Sequence, residues 1–284
     1  MPDENSSQTE QIAKSFEKVL NSHGYGFQYS ILKQAETLAV NAKSFWIPSV
    51  PEFPIEVQGY GTRIDFILQN RLRPLYMLAE CKRVNPALSS WCFARASYVP
   101  ILNNAQTAFI ETINLDESGK ISTRINNLTY SENIYHIALE TKSNVSGEPE
   151  GHGRGEIEQA ATQICRGLNG MIDFFANHQS FFGKVQAIGF LPVIFTTADL
   201  WVSSVDLGSA DLASGNINIP SASLKKIPWL FYHYNQSPGL KHALESSTPI
   251  QTLQDSLYYE YVRTIAVVSG SGITDFLRSG IFGY

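Results

Sequence analysis

Cysteine is scarce in this 284-residue chain: Cys81, Cys92 and Cys165 are the full set, and none form a C-x-x-C pair. An odd number at such spacings indicates neither a disulfide frame nor a zinc cluster, and points to reduced, buried thiols. Long apolar runs are also missing, which excludes an ordinary membrane-spanning helix and argues against a membrane partner. The first residues, MPDENSSQTEQ, are polar and acidic without an apolar signal-peptide core, so a cytoplasmic location is expected. Basic residues are not in excess. Twenty-one Lys and Arg against 26 Asp and Glu leave a net charge of −5, which excludes a general nucleic-acid coat. No internal repeat stands out.

What is present is apolar and aromatic. At 43% hydrophobic and 12% aromatic, the chain can bury a sizeable core. It reads as one α/β domain over 1–284, with an insertion at about 86–130 and an elaborated part at about 203–284.

The most informative stretch is Gly61 to Pro86, GTRIDFILQNRLRPLYMLAECKRVNP. Ile64, Phe66 and Leu68 alternate with Arg63, Asp65 and Gln69; Leu75, Met77, Ala79 and Cys81 alternate with Tyr76, Leu78, Glu80 and Lys82. Each run therefore predicts a strand with one apolar face and one charged face. Asn70 to Pro74 is a polar connection, and Pro74 can open a strand where no ladder donor is needed.

A hairpin closing about Leu72-Arg73 sets Asp65 opposite Glu80 and Arg63 opposite Lys82. Opposed carboxylates repel, and one usually keeps its proton. A hard divalent cation reverses that preference, because Mg²⁺ takes one or two carboxylates together with water and substrate phosphate. Lys82 can then reach the attacking water or the scissile phosphate and stabilise developing negative charge. The alternative is a salt-bridge quartet on a solvated sheet face, worth little energetically.

Asp65, fourteen intervening residues, then Glu80-Cys81-Lys82 resembles the D…(D/E)xK signature of the PD-(D/E)XK, restriction-endonuclease-like nuclease superfamily. Ile64 stands where that signature often has Pro. The resemblance implies a mixed central sheet flanked by helices, with Mg²⁺ or Mn²⁺ held by Asp65 and Glu80 and with Lys82 catalytic. It also implies a first-helix glutamate near the metal, which matches Glu17, and a helical glutamine beside the site. Gln159 and Gln163, at i and i+4, share a helix face and are similar to that glutamine, which places Gln159 beside the site.

Along the chain, 1–8 is expected to be disordered and Gln8–Asn21 helical, with Ile12, Phe16, Val19 and Leu20 on one face. Phe27–Leu32 reads as a strand, and Ser44–Pro54, with three prolines, as an irregular connection. Ser89–Ala96 and Ile101–Thr112 read as helices, and a turn follows at Asp116–Gly119. Trp91, Phe93, Arg95 and Tyr98 face either substrate or core, with core favoured for the aromatics. Ile134–Ser143 is a third strand. It carries a rival E-x-K, Glu140 and Lys142, with His136 on the same face, but no strand-borne aspartate precedes it. Gly147–Gly155 is a glycine-rich loop, a candidate lid in which Arg154 can hold a phosphate.

The order after it, a helix at Gly155–Phe175 and then a strand at Ala187–Thr196, is the one the resemblance implies after an E-x-K strand and favours the rival. Ile188–Val202 is apolar enough to be covered on both faces. Leu207–Leu224 reads as loop, Pro228–Tyr234 as an aromatic strand, Tyr258–Val268 as a strand and Ile273–Leu277 as a closing helix.

From Gly61 to Arg95 there are six basic residues against two acids, so Arg63, Arg71, Arg73 and Arg83, with Arg154, are expected to rim the site and meet nucleic acid. The resulting expectation is a metal-dependent phosphodiesterase, a DNA endonuclease in preference to one acting on RNA, in a setting such as bacterial anti-phage defence. Partners are the nucleic acid itself and either a second copy or a protein that delivers substrate. The competing reading is a catalytically silent nuclease-like binding module.

Overall fold

Two β-sheets and the helices packed on them make up the computed structural model, which describes residues 4–57, 59–84, 89–96, 107–141, 155–240, 244 and 246–279. The chain opens with helices α1 (Glu4–His23) and α2 (Tyr25–Val40), then strands β1 (Trp46–Val57), β2 (Tyr60–Asn70) and β3 (Leu75–Lys82). Next come β4 (Ser90–Ala94), β5 (Thr107–Leu115), β6 (Ile121–Tyr130), β7 (Ile134–Tyr135) and β8 (Ile137–Thr141). Helix α3 (Glu156–Asn177) leads to β9 (Ala187–Thr196) and β10 (Asp199–Ser203). The chain continues through β11 (Leu224–Ile227), β12 (Trp229–Asn235), α4 (Leu253–Ser256), β13 (Val262–Ser269) and α5 (Ile273–Arg278). Among the described residues no helix is long and apolar enough to cross a membrane.

The larger sheet runs β1-β2-β3-β9-β13-β12-β7, with β5 also on β9 and β6 on β5. Strands β1 to β3 are antiparallel, and β3, β9 and β13 are parallel, so the sheet is mixed and the class is α/β. Alternate residues bury on opposite faces. Leu78 and Ile194 meet Ala160, Ile164 and Leu168 of α3. Met77, Ala79 and Phe195 meet Ile31 and Ala35 of α2 and Phe276 of α5. Cover on both sides explains the unbroken apolar run of β9. Helix α3 lies tight on β1 and β2: a Cβ at Gly170 would fall 2.6 Å from Ile55 Cγ1, and one at Gly167 3.0 Å from Ile64 Cγ1.

The smaller sheet, β11-β10-β4-β8, grows out of the larger one. Parallel β3 and β9 give way to parallel β4 and β10, with the Thr197 N–H donating to Lys82 O (3.1 Å) and the Asp199 N–H to Ser89 O (2.7 Å). On its other edge β9 is shared: β5 pairs along Ala187–Phe190 and β13 along Val193–Thr196. At this fork Arg263 of β13 and Glu111 of β5 form an ion pair (2.9 Å), each side chain 3% exposed. The Phe109 N–H donates to Thr264 Oγ1 across the same fork. The segment expected as an insertion is thus partly woven into the main sheet through β5.

Several local expectations are corrected. Phe27–Leu32 is helical, inside α2, because Gln28, Ile31, Ala35 and Leu38 bury at helical spacing. Ser44–Pro54 contains most of β1, an edge strand whose bulge at Pro48/Val50 accommodates prolines that a central strand would not. Ser89–Ala96 holds β4 instead of a helix: Trp91 and Phe93 bury fully in alternation with Ser90, Cys92 and Ala94, a period of two. These aromatics are core. The helix expected over Ile101–Thr112 is replaced from Thr107 by β5; Tyr98 and the rest of 97–106 lie outside the described residues.

The N-terminal helix starts at Glu4, not after residue 8. The strand at Ile134–Ser143 divides at His136, whose N–H donates to Ala94 O, so β7 joins the larger sheet and β8 the smaller. The strand at Ala187–Thr196 falls where expected, as β9, and the apolar run to Val202 resumes after a break as β10. The strand expected from Tyr258 begins at Val262, after a π-helical turn at Leu257–Tyr261. The aromatic strand at β12 and the closing helix α5 fall where expected.

Candidate functional site

The β2–β3 register pairs Phe66 with Ala79 and Ile67 with Leu78, so the next rung is Asp65 with Glu80. At that rung a side chain takes over from the ladder: Asp65 Oδ2 accepts from the Cys81 N–H at 2.6 Å. Gln28, buried in α2, fixes the same residue from behind by donating to the Asp65 carbonyl at 2.7 Å. Glu80, 5% exposed, points toward α3 with Leu78, and its Oε1 lies 2.9 Å from Lys82 Nζ. Lys82 also donates to Gln163 Oε1 of α3 at 2.6 Å. The two acids and the amine therefore converge where β3 ends under α3.

The electrostatics follow from burial. Desolvation raises the Glu80 carboxyl to about 7, with the Asp65 charge pushing the same way and Lys82 opposing both. Burial also raises Asp65, against the Cys81 N–H and Lys82, while the nearby Glu52 adds to the rise. Glu52 itself sits in β1 at a φ of 49°, between Pro51 and Pro54, and pairs with Arg63 at 3.1 Å. A non-glycine residue there is strained. Of the expected quartet, only Glu80 and Lys82 form a direct pair; Arg63 turns to Glu52.

Glu17 lies on α1 in an exposed cleft with Phe16, Tyr25 and Tyr29. Among the described residues no three His, Cys, Asp or Glu gather closely enough to hold a metal, so neither Glu17 nor Glu140 joins Asp65 and Glu80. Glu140 instead caps the start of α3, its Oε1 accepting from the Ile157 N–H at 2.7 Å. Lys142 and Arg154, with the glycine-rich loop up to residue 154, lie outside the described residues. The residue that reaches Lys82 is Gln163, one turn beyond Gln159.

The basic rim does not form as the residue count implied. Arg71 and Arg73 lie at the hairpin tip, and Arg73 is seven residues from Glu80, about 20 Å along an extended strand. Arg71 donates to Ala39 O, and Arg83 donates to Asn21 O and ties β3 to the end of α1.

Two neighbours of the site, Gln28 and Glu156, carried no sequence signal, and a third, Gln163, carried one shared with Gln159. Gln28 was hidden by the strand reading of its segment. Gln163 was visible only as half of an i, i+4 pair. Glu156, in the first turn of α3, lies near both Glu140 and Lys82; burial raises its carboxyl, Glu140 adds to the rise and Lys82 counters it. Set against protein-family models, curated proteins and solved structures, the chain matches none.

The donor set suits a hard divalent cation. Two partly desolvated carboxylates are costly to ionise together, and a Mg²⁺ ion bound by one or two acids and completed by water and phosphate relieves that cost.

Proposed function

We propose that this chain is a Mg²⁺- or Mn²⁺-dependent nuclease of the PD-(D/E)XK type that hydrolyses phosphodiester bonds, in DNA in preference to RNA. The observation that carries the reading is the meeting of Asp65, Glu80 and Lys82 at one end of β3, with both acids pushed toward neutrality by burial. Five strands, β4 to β8, intervene after β3, but α3 and then β9, parallel to β3, follow in the helix-then-strand order that the D…(D/E)xK resemblance implies after its E-x-K strand, and this supports the reading.

Asp65 and Glu80 would hold the cation, which when bound polarises the phosphodiester and favours ionisation of water. Asp65 is pre-set for this by two backbone anchors, the Cys81 N–H on its carboxylate and Gln28 on its carbonyl. Gln163 of α3 and Glu80 of β3 both hold the Lys82 ammonium. Lys82, with a side chain 21% exposed, keeps an opening to solvent through which it can meet negative charge developing on phosphate oxygens.

The test is cleavage of matched duplex, single-stranded and branched DNA and RNA, with Mg²⁺, with Mn²⁺ and with chelator. Lys82→Ala and Asp65→Ala should each lower the metal-dependent rate by about a thousandfold or more, with a cooperative melting transition showing that each variant folds. Full activity in Lys82→Ala would remove this site from the chemistry. Binding of nucleic acid with no cleavage under any metal would favour the silent-module reading. A role in anti-phage defence is the natural setting for such an activity, and plaque assays with wild type and Lys82→Ala would test it.

A further inference from the structure

The smaller sheet carries a second concavity, of about 390 Å³, at the end away from Lys82. It opens beyond the carboxyl ends of the parallel strands β4 and β10, the place where parallel sheets generally receive ligands. Its lining includes Arg95, Tyr135, Ser203, Ser204, Ser223 and Lys225. Tyr135, 5% exposed, and Val202, 7% exposed, form an apolar floor.

The geometry points to a binding site for a phosphate-bearing ligand. Arg95 is held in place: its guanidinium lies 5.4 Å from the centre of the Tyr135 ring, and one amino group donates to Glu132 O. A guanidinium has five N–H donors in a planar fork, so this anchoring leaves several for an oxyanion. Lys225 faces Val202 across the β10–β11 pair. The neighbouring Lys226 is paired with Asp199 at 2.8 Å, whereas Lys225 enters no ion pair among the described residues.

Ser203 Oγ accepts from the Val205 N–H and so keeps its own hydrogen to donate. No carboxylate lines the concavity among the described residues, in a chain whose net charge is −5. The Ser204 and Ser223 hydroxyls are spent on Ser223 O (3.4 Å) and Pro220 O (2.7 Å), so two cations and the Ser203 hydroxyl over an apolar floor are what match a tetrahedral anion that carries an organic group. The shared chemistry is a phosphate, whether on a free nucleotide or in a nucleic-acid strand. The inference uses none of the hairpin residues and stands apart from cleavage.

Calorimetry on the full chain at low ionic strength tests it with three probes: inorganic phosphate, adenosine 5′-monophosphate and a short oligothymidylate. Lys225→Glu, at an exposed position, and Arg95→Gln should each weaken binding by about tenfold or more, with melting profiles showing that both variants fold. Loss of binding for phosphate and the nucleotide assigns the site to a free ligand. Loss for the oligothymidylate alone assigns it to a strand. Either result supports the site. No binding of any probe by wild type, or binding unchanged in both variants, overturns it.

Discussion

Glu80 is ionised at a cost. Its carboxyl moves from 4.5 to about 7 because burial and Asp65 oppose the charge, so the folded chain retains a proton there that the unfolded chain has lost. The sign follows from linkage: where the native state binds more protons, stability falls as pH rises. The metal-free protein should therefore lose on the order of 2–3 kcal/mol between about pH 4.5 and 7 from this group. Glu80→Gln should flatten that part of the profile in denaturant titrations. For the same reason Mg²⁺ affinity in wild type should climb with pH up to about 7 and then level off, with proton release seen by calorimetry in two buffers of different ionisation enthalpy. An affinity independent of pH across this window would mean that Glu80 does not meet the ion.

At the scale of elements, the site depends on how closely α3 lies on the sheet. Gly170 has Ile55 and Val57 where a methyl would go, and Gly167 has Ile64. Gly170→Ala should therefore push the helix outward and cost about 1–3 kcal/mol in chemical denaturation. It should also lower the cleavage rate, because Gln163 rides on the same helix and would lose its 2.6 Å hold on Lys82. Unchanged activity in a destabilised Gly170→Ala would leave Gln163 without a role in aiming the lysine.

This dependence also marks what the amino-acid order can reveal. The Asp65–Glu80 rung was legible because alternation and a short connection determine a local hairpin almost alone. Trp91 and Phe93 were misassigned as helical, although Ser-Trp-Cys-Phe-Ala alternates, because a five-residue run gives the two periods little chance to diverge. Gln28 carries no local signal and Gln163 stands out only together with Gln159, since contacts 37 and 81 residues apart are decided by packing. The basic rim misled because counting charges along 61–95 ignores that the hairpin carries Arg71 and Arg73 away from the acids.

For the molecule as a whole, the fork on β9 is where parallel and antiparallel halves of the sheet are joined. Arg263 and Glu111 meet there with almost no access to water. Removing one charge strands the other, so Arg263→Met should cost about 3–5 kcal/mol. The double variant Arg263→Met with Glu111→Leu should recover much of that loss, because an apolar filling avoids the desolvation of both ions. A double-mutant cycle by urea denaturation measures the coupling. If the single and double variants lose equal stability, the pair is not what holds the fork.

The prolines of β1 have a consequence for assembly. Pro48, Pro51 and Pro54 remove three N–H groups from a border strand already broken by a bulge and by the left-handed turn at Glu52. Such a margin resists zipping onto a neighbour's backbone. A contact between two copies at this edge would therefore rest on side chains, and a paired cut across a duplex built on it would take its spacing from that contact instead of from a merged sheet.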